Sequence, residues 1–127
     1  MSGTINCVHL LGRSGREPEM RYTPDGQAVT AFSLATDRPV KGKPAETDWH
    51  RVVAFGALGE FCNAYVAKGR RLFVIGRLSY RSWTGEDGRQ RFGVDIVAQR
   101  VLLLDRRPGA EGVEPPEDPS GAPDLPF

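Results

Sequence analysis

Apolar and polar residues alternate along most of the chain, and this period of two is typical of half-buried β-strands. Segments rich in Gly, Pro, Asp and other polar residues separate five such runs. The predicted strands cover residues 4–12, 29–36, 47–55, 71–83 and 90–104. Residues 15–20 and 37–46 are predicted loops, Pro24-Asp25-Gly26 a turn, and residues 84–88 the loop of a hairpin. The pattern therefore predicts a protein built mainly of β-strands.

One segment has a helical period instead. Residues 57–68 carry apolar side chains at the spacing of a single helix face: Leu58, Phe61, Cys62, Tyr65 and Val66. Lys68 and Gly69 are typical of a helix end. Five strands with one helix between the third and the fourth is the element order of an OB-fold barrel, a fold that binds oligonucleotides and oligosaccharides. We therefore expect an all-β fold with one helix, arranged as a five-stranded OB-fold barrel.

The sign of the net charge differs between the two parts of the chain on either side of Arg107. Residues 1–107 contain all 17 Lys and Arg residues but 11 of the 16 acids, which gives a formal charge of +6. Residues 108–127 contain the other five acids and six of the ten prolines, so they carry a charge of −5 and little apolar surface to offset the entropy of ordering. We expect an OB-fold domain at 1–107 that favours an anionic partner, followed by a disordered acidic tail at 108–127.

Catalytic, metal-binding and membrane functions find little support in the sequence. Cys7, Cys62, His9 and His50 show no metal-ligand or redox spacing. No nucleophile motif or phosphate-binding loop is present. No apolar run approaches the ~18 residues of a membrane span, and the N-terminus lacks a secretory pattern. We expect a cytoplasmic protein that is not an enzyme and needs no cofactor or metal.

Alternation also predicts which side chains of the last two strands enter the core. The predicted core stripe of the fourth strand is Leu72, Val74, Leu78 and Tyr80. The predicted core stripe of the fifth strand, opposite Arg91 and Asp95, is Phe92, Val94, Ile96 and Ala98. We therefore expect both stripes to be buried in the core.

The opposite faces of the strands combine aromatic rings with guanidinium groups. The third strand carries Trp49, Arg51 and Phe55 on one face. The fourth strand carries Arg77, Arg81 and Trp83 opposite its core stripe. An unpaired base offers a ring for stacking and its backbone offers phosphates to cations, so this mixture suits single-stranded nucleic acid of any sequence.

Several segments resemble the bacterial single-stranded DNA-binding protein (SSB) family. The matching strings are RYTPDG at 21–26, FSLAT at 32–36, TDWHRVVAFG at 47–56, KG at 68–69, VIGRL at 74–78 and WT at 83–84. The closing residues Asp124, Leu125, Pro126 and Phe127 are similar to the acidic, Pro-Phe-terminated tip of that family. The resemblance covers residues 3–105 and the last four positions.

The resemblance implies roles for individual residues. It assigns base stacking to Trp49, Phe55 and Trp83. It assigns DNA contacts to the cations Arg21, Arg51, Lys68 and Arg81, and less directly to Arg77 and Lys43. The chain departs from the family at Val40, where a further stacking Trp is frequent, and at Ala57, where a Lys is common.

The resemblance also implies partners and an assembly. It implies sequence-independent binding and protection of single-stranded DNA in replication, recombination and repair, by a nucleoid-associated homotetramer. Partner enzymes would bind the tip at 124–127 through its aromatic residue and terminal carboxylate. Two alternatives share the predicted surface: a structural OB module that scaffolds an assembly, and an RNA-binding OB protein of the cold-shock type.

Overall fold

The computed structural model describes residues 3–104, and its architecture confirms the predicted barrel. The elements are β1 (Val8–Ser14), β2 (Glu19–Tyr22), β3 (Ala28–Val40), β4 (Lys43–Phe55), α1 (Gly56–Tyr65), β5 (Arg71–Thr84) and β6 (Gln90–Leu103). The helix lies between the strands that correspond to the third and fourth predicted ones. The predicted disordered tail at 108–127 and its tip lie outside the described residues.

Five strands close into a barrel, and the short β2 pairs only with β3. The sheet order is β1-β5-β6-β4-β3-β2, and β1 returns to β3 where Arg13 pairs with Ala35. Every pairing is antiparallel except that of β4 with β6. Closure depends on Gly12, because a Cβ atom at this position would lie 2.0 Å from the carbonyl oxygen of Ala35. Only a residue without a side chain lets β1 and β3 approach this closely.

The core lies between the barrel strands and the inner face of α1. Its fully buried members include Leu34, Val52, Leu58, Leu72, Val74 and Val101. The helical stripe predicted from the sequence is largely buried, but Tyr65 remains 37% exposed. The helix ends at Tyr65 rather than at the predicted Lys68, because Val66 turns out of the helical conformation. Burial raises the pKa of the Cys62 thiol to about 12, so this group stays protonated and inert near neutral pH.

Two segments predicted as loops are instead paired strands. Residues 19–22 form β2, although the sequence predicts a loop over residues 15–20. Residues 37–46 extend β3 and β4 into a long hairpin that turns at Gly42, whose φ is 74°. Arg38 stabilises this hairpin across the strands, with ion pairs to Glu46 at 2.9 Å and Asp48 at 3.2 Å. Polar composition indicated a loop because both faces of this ribbon are solvated.

The predicted core stripes of β5 and β6 are wrong at the outer end of their hairpin. Tyr80, Phe92 and Val94 are 74%, 76% and 46% exposed. Pairing between β4 and β6 stops at Asp95, so the hairpin beyond this residue projects past the barrel. The apolar alternation continues there, but within residues 3–104 no third strand or helix covers the apolar face. The inner halves of the stripes, including Leu72, Val74, Ile96 and Ala98, are buried as predicted.

Candidate nucleic-acid interface

The strand register joins the two predicted aromatic and basic faces into one surface. Arg51 of β4 pairs with Asp95 of β6, and Asp95 pairs with Ser79 of β5. Residues paired across a sheet point to the same side, so these three side chains lie in one row on the outside of the barrel. We call the six residues predicted on these faces the aromatic–arginine surface: Trp49, Arg51, Phe55, Arg77, Arg81 and Trp83. Their connection through β6 was not evident from the individual strands.

Trp49 forms one wall of an open groove with a volume of about 660 Å³. Its side chain is 61% exposed although it stands on a central strand. Gly15 lies against the ring, and a Cβ atom there would come within 2.3 Å of Trp49 Cζ3 and 2.9 Å of Ser33 Oγ. The missing side chain therefore lets the indole lie across the β1–β2 connection. The six-membered ring lies against Gly15 while much of the indole remains accessible.

Trp83 stands on the projecting hairpin with a guanidinium group against it. Arg81 Cζ lies 4.5 Å from the centroid of the indole, within the range of a cation–π contact. Gly93, the cross-strand partner of Arg81, provides the room, since a Cβ atom there would lie 3.1 Å from Arg81 Cζ and 3.2 Å from Trp83 Cζ3. Trp83 is 41% exposed, so part of the ring remains open to a planar ligand.

Asp95 connects the Trp49 and Trp83 ends of the surface. Its Oδ1 accepts a hydrogen bond of 2.9 Å from Arg81 Nε and lies 3.5 Å from Arg51 Nε. The carboxylate side chain is only 14% exposed, whereas the two arginines are about half exposed. Sequence reasoning placed Asp95 opposite a core stripe but did not assign it to the site. The available signal was its position among cations on an outward face.

This geometry can hold planar rings and anions side by side. Two accessible indoles, with guanidinium groups between them, lie on one curved β-surface. Three comparisons with known proteins bear on what such a surface binds. The profile of the Single-strand binding protein family matches residues 5–104. The chain belongs to this family.

Individual SSB relatives match across most of the chain. The Single-stranded DNA-binding protein of Xanthomonas campestris pv. campestris is 41% identical over 111 residues, which cover 84% of this chain and 64% of the relative. The Single-stranded DNA-binding protein of Thermotoga maritima is 40% identical over 127 residues, which cover 97% of this chain and 89% of the relative. The chain thus spans less than two thirds of the Xanthomonas protein but most of the Thermotoga one.

A solved structure matches the SSB barrel as well. It is described as a Plasmodium falciparum SSB complex with ssDNA, and it superposes with a TM-score of 0.75 at 30% sequence identity. The match covers 83% of this chain and 99% of the Plasmodium chain. The OB-fold expectation and the family resemblance are therefore both confirmed.

The other predicted site residues of this SSB chain lie at increasing distances from Asp95, which is the centre of the aromatic–arginine surface. Arg21 pairs with Val29, which pairs in turn with the half-buried Phe55, so these three residues share one row at the β2 edge. Arg77 is exposed beside Val97, one row from Asp95. These two cations border the centre of the surface.

Lys43 and Lys68 lie farther from that centre. Lys43 is at the tip of the β3–β4 hairpin, six positions before Trp49, which is roughly 20 Å along a strand. Lys68 follows the helix, and its backbone N–H donates to Glu17 Oε1 at 3.3 Å. Because Glu17 lines the groove, Lys68 lies near its rim. The tip residues Asp124, Leu125, Pro126 and Phe127 lie outside the described residues.

Two other kinds of feature are absent from the described part of this SSB chain. Among residues 3–104, no three His, Cys, Asp or Glu side chains are grouped so that they could hold a metal ion. None of the helices in that range is long and apolar enough to cross a membrane.

Proposed function

We propose that this chain binds single-stranded DNA independently of base sequence and shields it. The observation that carries the proposal is the aromatic–arginine surface, where Trp49 and Trp83 are exposed on the same side of the barrel as Arg51 and Arg81. The names of the bacterial relatives and the single-stranded DNA in the Plasmodium complex support the same ligand.

The chemistry of the surface explains why binding would tolerate any sequence. A base stacks on an indole through its ring face, and every base has such a face. Guanidinium groups contact phosphates, which are identical at each nucleotide. Duplex DNA keeps its bases stacked on one another, so Trp49 and Trp83 cannot reach a ring face there. Preference for single strands over duplexes therefore follows from the exposed rings.

The finer biological role rests on the resemblance and on charge. We propose that the chain protects single-stranded DNA during replication, recombination and repair. We also propose that partner enzymes of these processes bind Asp124, Leu125, Pro126 and Phe127. An acidic segment that contains an aromatic residue suits a basic-rimmed apolar pocket. We also propose a homotetramer, in which four copies of the basic surface would wrap one DNA strand. Light scattering of the full chain measures the subunit count.

Tryptophan fluorescence tests the proposed function directly. Adding oligo(dT) to the full chain should quench Trp49 and Trp83, whereas duplex DNA of equal length should quench far less. The logarithm of affinity should fall against the logarithm of salt concentration by about 0.7 per neutralised phosphate. If oligo(dT) caused no quenching of tryptophan fluorescence and affinity did not depend on salt, the result would favour the scaffold alternative. Tighter binding of oligo(U) than of oligo(dT) would favour the RNA-binding alternative.

Replacing Gly15 with alanine should weaken binding of single-stranded DNA by about 3- to 10-fold, part of the stacking energy of one base. The new Cβ atom would overlap the Trp49 ring at 2.3 Å and displace it. Fluorescence anisotropy with a labelled oligo(dT) measures the affinity, and thermal unfolding should change little because the clash is with an exposed side chain. In a Trp49→Ala background the same substitution should have no further effect. An additional loss there would show that Gly15 acts elsewhere.

A further inference from the structure

We infer that Asp95 is a positioning residue for the nucleic-acid surface: it holds the guanidinium groups of Arg51 and Arg81 in place for phosphate. This inference rests on the proposed function. Asp95 lies on β6 between the two arginines, which come from β4 and β5. A single carboxylate oxygen faces the Nε atoms of both, at 3.5 Å from Arg51 and 2.9 Å from Arg81.

The contacts with Asp95 leave the phosphate-binding edges of the arginines available. Both arginines face the carboxylate through Nε, and their terminal nitrogens have no hydrogen-bond acceptor among residues 3–104. Those terminal nitrogens carry most of the N–H donors of a guanidinium group. A phosphate can therefore bind without breaking the contact that orients each side chain.

Partial burial makes Asp95 a suitable anchor. Its side chain is 14% exposed, so its carboxylate is screened less by water than the surrounding surface charges. Arg51 and Arg81 are long and flexible and repel one another when both are charged. A half-buried carboxylate between them offsets that repulsion and restricts their rotamers before the ligand arrives, which reduces the entropy lost on binding.

The effect extends from Asp95 to one of the two exposed indoles. Arg81 is held by Asp95 on one side and packs on Trp83 at 4.5 Å on the other. Gly93 leaves space for both side chains. Holding Arg81 therefore also supports one face of the Trp83 ring. Asp95 thus links the phosphate-binding and base-stacking parts of the surface.

Charge alone predicts the opposite result, and this makes the inference testable. A negative charge in a surface that binds an anion reduces long-range attraction, so its removal should tighten binding if Asp95 had no other role. Loss of a positioning contact should weaken binding instead. Ordering one flexible side chain at an interface costs roughly 2- to 12-fold in affinity, and Asp95 contacts two.

The first experiment compares substitutions in the full chain by fluorescence anisotropy with labelled oligo(dT). Asp95→Ala should weaken binding about 5- to 10-fold, while Asp95→Asn, which keeps an acceptor oxygen, should stay within about 3-fold of wild type and never exceed it. Asp48→Ala is the matched control, because it removes an equal charge from an Arg38 ion pair off this surface. In an Arg51→Ala/Arg81→Ala background, Asp95→Ala should no longer weaken binding, because neither guanidinium group remains to be held. Tighter binding by either Asp95 variant of the otherwise unchanged chain would overturn the inference.

The second experiment needs no DNA and separates this inference from the proposed function. Side-chain ¹⁵Nε relaxation should show ordered Arg51 and Arg81 in the wild type and lower order parameters for both in Asp95→Ala. Arg89 is the internal control, because it lies in the hairpin turn beyond the last β5–β6 pair, Thr84 with Gln90. Unchanged order of both arginines would refute the positioning role even if DNA binds. Absence of DNA binding by the wild type would refute the proposed function instead.

Discussion

Trp49→Ala should weaken binding of single-stranded DNA by roughly 5- to 150-fold, and Trp83→Ala should have an effect in the same range. The estimate follows from a stacking contribution of about 1–3 kcal/mol per base. Both side chains are exposed, at 61% and 41%, so their removal leaves the core intact. Anisotropy with labelled oligo(dT) measures the loss, and the thermal unfolding temperature should stay near that of the wild type.

Tyr80 offers a matched control for both tryptophans. It is an aromatic residue, 74% exposed, on the same hairpin as Trp83 but on the opposite face. Tyr80→Ala should leave affinity within about twofold, because stacking requires a ring on the aromatic–arginine surface. Equal losses from Tyr80→Ala and Trp83→Ala would contradict the assignment of DNA to one face of the hairpin.

Leu58→Ala should lower the free energy of unfolding by about 2–5 kcal/mol. Leu58 is fully buried and belongs to the cluster in which α1 packs on the barrel. Shortening its side chain leaves a cavity between the helix and the strands, and the loss grows with the volume that cannot collapse. Urea unfolding monitored by circular dichroism gives this free energy.

Leu104 provides the corresponding control for stability. It is 41% exposed at the end of the described chain, so Leu104→Ala removes the same atoms from a partly solvated site. We expect a change below about 1 kcal/mol. DNA affinity of the folded Leu58→Ala protein should be unchanged, because Leu58 belongs to the core cluster and not to the aromatic–arginine surface. A similar loss from both leucine variants would mean that burial of Leu58 does not govern its contribution.

The sequence predicted the order of the elements and the main DNA-contact candidates. Strict alternation around Trp49 and Trp83 placed both rings on outward faces, and the structure finds both exposed. The spacing of Leu58, Phe61 and Cys62 predicted the buried helix face. These predictions succeeded because the periods of strands and helices depend on neighbouring residues alone. Roles assigned to individual residues in DNA binding stay predictions.

Sequence patterns failed where a residue's surroundings come from distant parts of the chain. Tyr80, Phe92 and Val94 continue the predicted apolar face, yet their hairpin passes beyond the last β4–β6 pair, and no element of the described part of the chain covers them. The polar segment at 37–46 forms paired strands because its two halves hydrogen-bond to each other across a hairpin. Burial depends on what lies opposite a face, and alternation reports only that a face exists.

The aromatic–arginine surface shows the same division between local pattern and tertiary structure. Alternation along each strand places Trp49 and Arg51 on one face and Arg81 and Trp83 on another. The continuity of these two faces depends on tertiary pairing, because the parallel pairing between β4 and β6 places Asp95 between Arg51 and Arg81. That register is fixed by closure of the whole barrel, in which Gly12 lets β3 approach β1 closely enough to pair with it. No local period carries information about contacts that form only when the barrel closes.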